Sequence, residues 1–159
     1  MEKTAILGFG NPVRSDDGVG CYVIKQLKQS DLKKLENLSI IDMGTSAFEV
    51  LFTLKGHKKM IIVDGVINSG EQDGTLFKLP AKEIHAHIQD DPMVFLHSLK
   101  WDQALSYAKK IMGDEFPDEQ VIVYLIAISN TKMEIELSPE VATAAHRLVE
   151  KIKQDIQPD

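Results

Sequence analysis

The sequence predicts a single-domain, three-layer α/β fold, with a central twisted, mostly parallel sheet of about five strands and helices on both faces. Three observations support this. Strand-like and helix-like patterns alternate along the chain. The strand runs are continuously apolar, as in strands covered on both sides. The 159 residues suit one domain with a sizeable core.

The elements follow in order. Thr4 to Leu7 is a short apolar run that stops at Gly8, and Gly10-Asn11-Pro12 breaks it into a loop. From Gly18 the pattern turns helical, with Val19, Val23, Ile24 and Leu27 on one face and Asp16 or Asp17 as the expected cap. Leu38 to Ile41 is a second strand closing at Asp42. Ser46 and Glu49 have the spacing of a capping box for a short helix. Met60 to Val63 is a third strand ending at Asp64. Gly74 to Leu79 is a fourth, reached without a helix and so expected as an antiparallel edge. A helix is expected from about His97 to Met112, with Leu105, Ala108 and Met112 on one face. Gln120 to Ile128 is the strongest strand pattern in the chain. The last helix opens with Ser138 as cap and Pro139 at its first position, and buries Val141, Ala145, Leu148 and Ile152.

Composition narrows the function. Lys and Arg total 18 against 24 Asp and Glu, for a net charge of -6. There is no basic stripe, which argues against nucleic acid and against anionic membranes. The single cysteine, Cys21, can form neither an internal disulfide nor a Cys-rich zinc site, which fits a reducing compartment. Met1 to Thr4 lead straight into the first strand without a signal-peptide pattern, and no apolar run approaches a membrane span. A cytoplasmic protein is expected.

Ligands of open α/β sheets bind at the C-terminal ends of the strands. Here that edge collects acids. The first strand leads into Asp16-Asp17, the second ends at Asp42, and the third ends at Asp64. Such acids repel one another unless a cation neutralises them, and a divalent metal does so economically. Each also has a plainer reading. Asp17 could be only a helix cap, Asp42 only a turn residue, and His97 only a residue at a helix start. Asp64, directly after an apolar run, is costly without a partner. Grouped as two carboxylates and one imidazole, Asp17, Asp64 and His97 make a suitable ligand set for Ni, Zn, Fe or Mn.

Other motifs carry less. Gly8-Phe9-Gly10 with Asp42 has part of a dinucleotide-binding pattern. Val13 occupies the place of its third glycine, and Asp16-Asp17 stand where a pyrophosphate would sit. His85-Ala86-His87 lies in a polar stretch and reads as solvated. Cys21, near a helix start that could lower its pKa, reads as packing. Trp101 and Tyr107 read as core or groove-wall residues.

Gly8-Phe9-Gly10-Asn11-Pro12 with Asp16-Asp17-Gly18-Val19-Gly20 resembles the opening signature of the hydrogenase maturation endopeptidases. The resemblance continues through Asp42-Met43-Gly44-Thr45, Ile61-Ile62-Val63-Asp64-Gly65, His97-Ser98-Leu99 and Leu137-Ser138-Pro139-Glu140-Val141. The segments come in family order over nearly the whole chain. The first is specific and the rest are short. Met43 stands where a glycine is usual, and Ile128-Ser129-Asn130 lacks a common proline.

The resemblance implies an α/β peptidase that cuts one bond near the C-terminus of a [NiFe] hydrogenase large-subunit precursor after nickel insertion. The family's metal-contacting and catalytic positions fall on Asp17, Asp64 and His97. Gly10, Asn11, Asp16, Asp42, Gly44 and Thr45 are expected to shape the cleft. No tightly bound cofactor is implied: the nickel comes with the substrate, other divalent metals can occupy the same open site, and the protein is expected to be a monomer. Two alternatives stay open at this point, a non-catalytic nickel-dependent docking protein and a dinucleotide-binding oxidoreductase.

Overall fold

The computed structural model describes residues 3–46, 56–80 and 120–156, together with 106, 109–110 and 112–113. Five strands form one sheet: β1 (Thr4–Phe9), β2 (Leu38–Gly44), β3 (Lys59–Val66), β4 (Leu76–Pro80) and β5 (Val121–Ala127). Their order is β2-β1-β3-β5-β4. The first four in that order are parallel to their neighbours, and β4 runs antiparallel to β5 at the edge. The expected antiparallel edge strand is therefore present. It pairs with β5 rather than with its predecessor in sequence.

The apolar runs of β1, β3 and β5 become strands buried on both faces, whereas Leu38–Ile41 of β2, at the sheet edge, is half-buried. Ile6, Ile61, Val63, Tyr124 and Ile126 share one core with two helices, α1 (Val19–Lys28) and α2 (Pro139–Ile156). The alternate residues Ala5, Leu7, Met60, Ile62, Val121 and Val123 are equally buried, as a covered opposite face requires. The helical stripes behave as their spacing predicts. Val19, Val23, Ile24 and Leu27 of α1 are buried, as are Val141, Ala145, Leu148 and Ile152 of α2.

Several boundaries differ from expectation. β2 continues past Asp42 to Gly44, and β3 continues past Asp64 to Val66. Both acids thus lie within strand ends rather than just beyond them, because parallel pairing persists: Gly65 and Val66 still align with Ile126 and Ala127. β4 starts at Leu76, two residues late, after a turn in which the Thr75 N–H reaches the Gln72 carbonyl. Ser30 caps a further short turn at Asp31–Lys34 by accepting the Leu32 N–H, an element that periodicity did not suggest.

The cap expected from Asp16 or Asp17 is not formed. Both sit inside a 3-10 turn, Ser15–Gly18, and α1 begins after Gly18 with no side-chain cap. Ser138 keeps its expected place, since its carbonyl accepts the Ala142 N–H that opens α2. Glu49 of the capping box lies outside the described residues. So does most of the helix expected from His97 to Met112, of which Ser106, Lys109, Lys110 and Met112 are helical.

Candidate active site

The C-terminal ends of β2, β1 and β3 lie side by side. Gly8 is level with Asp42 on one side and with Val63 on the other. Asp42 and Asp64 therefore flank the end of β1, and the chain leaving β1 turns back between them to start α1.

That return is tight. Gly10 has φ +141, and a Cβ there would collide with the Asp17 carbonyl oxygen. A Cβ on Gly20 would collide with the Phe9 carbonyl oxygen and crowd that of Val63. Glycine at these positions lets the start of α1 rest on the ends of β1 and β3. The loop is pinned from within. The Asn11 N–H donates to both the Asp17 carbonyl and Asp17 Oδ2, each at 3.2 Å. Asn11 Oδ1 accepts the Val13 N–H at 3.1 Å in an Asx turn. The Gly10 N–H donates to the Gly44 carbonyl at 2.8 Å, joining this loop to the end of β2.

Asp17 is half-buried, with one carboxylate oxygen held by Asn11. Asp64 is also half-buried, and its Oδ1 accepts the Gly65 N–H at 2.8 Å. Gly65 lies close to the Val19 side chain, two residues beyond Asp17. The turn carrying Asp17 thus packs against the strand end carrying Asp64. Asp17 keeps its other carboxylate oxygen after this backbone contact, and carboxylate oxygens at both positions are donors of the kind a divalent metal needs. Among the described residues, no three His, Cys, Asp or Glu side chains converge on one point. His97, the third expected ligand, lies outside the described residues, as do His85, His87, Trp101 and Tyr107.

Asp42 is exposed, and its Oδ1 accepts the Gly44 N–H at 2.9 Å. Met43 is buried beneath it. Thr45 is exposed, within a turn that the Ser46 N–H closes on the Met43 carbonyl. Cys21 sits among these groups, its Sγ donating to the Gly10 carbonyl at 3.4 Å. Burial, followed by a hydrogen bond with Asp42 and its charge, pushes the thiol up to about 12, and the Asp64 charge adds in the same sense. The helix-start effect that could have lowered this pKa is overridden by desolvation and the neighbouring acids. Cys21 is a buried thiol, not a nucleophile at neutral pH.

Asp16 does not cap its helix and is held by hydrogen bonds instead. It is 0% exposed. Its Oδ1 accepts the Ser138 N–H at 2.7 Å, and its Oδ2 accepts the Ser138 hydroxyl at 2.8 Å. The acid expected to cap its own helix instead fastens the turn to the start of α2, where a negative charge is favoured. Ser15 supports the same join through its N–H to Glu134 and its hydroxyl to Glu136, both backbone carbonyls. No local pattern reveals the partnership of Asp16 and Ser138, 122 positions apart.

A cleft of about 500 Å³ opens beside the site, between α1 and residues 135–137. Its lining includes Cys21 and Asp42 together with Lys25, Lys28, Ile135 and Leu137. Sequence reasoning did not identify these last four, since their contribution comes from two segments more than a hundred residues apart.

Comparison with known proteins identifies relatives of this chain. A family model for hydrogenase maturation proteases matches residues 21–155. The delta subunit of the coenzyme F420 hydrogenase of Methanothermobacter thermautotrophicus is 31% identical over 95% of this chain and 92% of its own. The hydrogenase 2 maturation protease of Escherichia coli is 26% identical over 94% of this chain and 88% of its own. The crystal structure of a hydrogenase 2 maturation peptidase from Thaumarchaeota archaeon SCGC_AB-539-E09 superposes with a TM-score of 0.71 at 25% identity, covering 99% of this chain and all of the other. The chain belongs to the hydrogenase maturation protease family.

Proposed function

We propose that this protein is a cytoplasmic endopeptidase that removes the C-terminal tail of a [NiFe] hydrogenase large-subunit precursor once nickel has been inserted. It acts as a monomer, and the nickel arrives with the substrate. The observation that carries the reading is the pair Asp17 and Asp64, half-buried on abutting elements, each accepting a backbone N–H. Two such carboxylates suit a metal presented by a partner, with His97 as the third donor.

The chain's own residues then have distinct tasks. Asp17, Asp64 and His97 hold the substrate's nickel and so admit only loaded precursor, which gives specificity by differential binding. Gly10, Asn11, Asp42, Gly44 and Thr45 shape the approach to that point. In one route the substrate's nickel would polarise the scissile carbonyl or the attacking water. In the second route a carboxylate of the pair takes the proton from water and the metal serves only as the handle.

Incubating the protein with nickel-loaded and nickel-free precursor tests the proposal. A mass loss at the C-terminus of the loaded form alone is expected. Equal cleavage of both forms would remove the nickel requirement, and cleavage of neither would remove the peptidase reading. Replacing His97 by Ala is expected to abolish cleavage, and full activity in that variant would take it out of the ligand set.

A second reading rests on the relative named as a hydrogenase subunit. In it, the chain uses the same trio to associate with the precursor without cutting it. Nickel-dependent association without mass loss would favour that reading.

A further inference from the structure

We propose that the cleft along α1 is where the precursor docks, and that its occupant is an extended peptide segment carrying an apolar side chain followed by a carboxylate. The inference rests on the reading above and deepens it by assigning the chemistry of the docking segment.

The cleft begins at the site. Cys21 and Asp42 line it, and Cys21 Sγ contacts the Gly10 carbonyl of the loop that holds Asp17. Cys21, Lys25 and Lys28 are spaced i, i+4 and i+7 and so share one face of α1. At the rise of an α-helix they span about 10 Å. That length takes roughly three residues of extended peptide. The volume of about 500 Å³ is of the same scale.

The lining is apolar along one wall and cationic at the far end. Among the described residues the exposed large hydrophobic side chains are Val13, Ile67, Met133 and Ile135. One of these lines the cleft and two more lie on the loops that border it. Ile135, 82% exposed, lines the cleft. Met133, 76% exposed, stands two positions before it, and Val13, 47% exposed, follows the lining residue Pro12. The two loops are joined by Ser15 to Glu134 and by Arg14 Nε to the Thr131 carbonyl, so this apolar rim is held in place. A protein of net charge -6 that exposes such a rim beside its site has a surface suited to a partner.

Lys25 and Lys28 are exposed on the cleft wall. Lys34 and Lys153, by contrast, pair with Asp31 and Glu150. Two ammonium groups on one face, at the end remote from Asp17 and Asp64, match a carboxylate on the docking segment. The acids at the other end repel that same carboxylate, so charge alone sets the direction in which the segment lies.

Steady-state cleavage of nickel-loaded precursor tests the proposal. The double substitution Lys25→Glu with Lys28→Glu is expected to raise KM about tenfold while kcat stays within about twofold, the signature of lost ground-state binding. Ile135→Asp is expected to act in the same sense. Added salt should raise KM for the unsubstituted protein and leave the double variant flat. Lys34→Glu, outside the cleft, serves as the charge control. Unchanged KM in both cleft variants would overturn the proposal while leaving the peptidase reading intact. So would an unsubstituted dimer that the same substitutions dissociate, since the cleft would then belong to a second copy. If the protein bound precursor without cutting it, the peptidase reading alone would fall. The same variants would then be judged by Kd in place of KM, with the same two outcomes.

Discussion

Asp16 and Asp17 are adjacent in sequence and serve different regions. On the inner side of the turn after β1, Asp16 is fully buried and fastened to Ser138 at the start of α2 through both carboxylate oxygens. On the outer side, Asp17 is half-buried and spends one oxygen on the Asn11 N–H, on a turn that packs against the strand end carrying Asp64. One carboxylate is satisfied by the fold and the other keeps capacity for a ligand. The lesson is that an acid pair at a strand end divides by burial, with the buried member holding the turn that presents the open one.

Substitution should separate the two regions cleanly. Asp17→Ala and Asp64→Ala are expected to lower the rate of precursor cleavage by about 10²–10⁴-fold. Their urea midpoints should stay close to that of the unsubstituted protein, because neither carboxylate is deeply buried. Asp16→Ala should do the reverse first. It strips the partner from a Ser138 N–H and hydroxyl and is expected to cost about 2–4 kcal/mol of stability, read by urea denaturation. Asp16→Asn should cost less, since its carbonyl oxygen can still accept the N–H. An Asp16→Ala variant as stable as its parent would break the division proposed between the two sides.

Much of this arrangement is legible in the sequence, and the limits are physical. Continuous apolar runs fix β1, β3 and β5, because burial on both faces leaves no polar alternation. The stripe of α2 and its Ser138-Pro139 start are local signals and appear where expected. Asp17 and Asp64 are likewise visible, since position after an apolar run places them at the sheet edge. The role of Asp16 is not visible. A helix-start acid looks the same in sequence whether it caps its own helix or reaches a residue 122 positions away. Strand ends at Asp42 and Asp64 are misjudged for a related reason, because pairing with neighbouring strands extends them beyond their own apolar runs. The cleft lysines escape notice because exposed lysines at a helix C-terminal end are already explained by the helix dipole.

Cys21 tests the boundary between the regions. It lies under the site, and desolvation with the Asp42 contact pushes its pKa up to about 12. The folded protein is therefore expected to resist iodoacetamide at pH 8 and to alkylate only once unfolded in urea, as read by mass spectrometry. Rapid alkylation of the native protein at that pH would mean that burial and the neighbouring acids do not hold the thiol protonated. The raised value also has a stability consequence. Between pH 9 and 12 the folded thiol keeps a proton that the unfolded one loses, so its contribution falls as pH rises.

The smallest effect is expected at the far end of α2, where a second carboxylate is fastened to the core. The buried Tyr124 hydroxyl donates to Asp155 Oδ2 at 2.7 Å. Here the acid is exposed, so water can replace a lost partner, unlike at Ser138. Tyr124→Phe is expected to cost about 1 kcal/mol at pH 7, against the larger loss at Asp16. Burial, followed by the Asp155 hydrogen bond and its charge, raises the phenol above its ordinary value of 10.0. The folded state therefore holds a proton above pH 10 that the unfolded state has released, and stability falls as pH climbs through that range. Tyr124→Phe removes this contribution, so its urea midpoint should decline less steeply than its parent's between pH 9 and 11. The two proteins should then converge in stability with rising pH. Parallel profiles would mean that the Tyr124 contact to Asp155 gives no preference for the neutral phenol, and that the contrast with Asp16 must rest on burial alone.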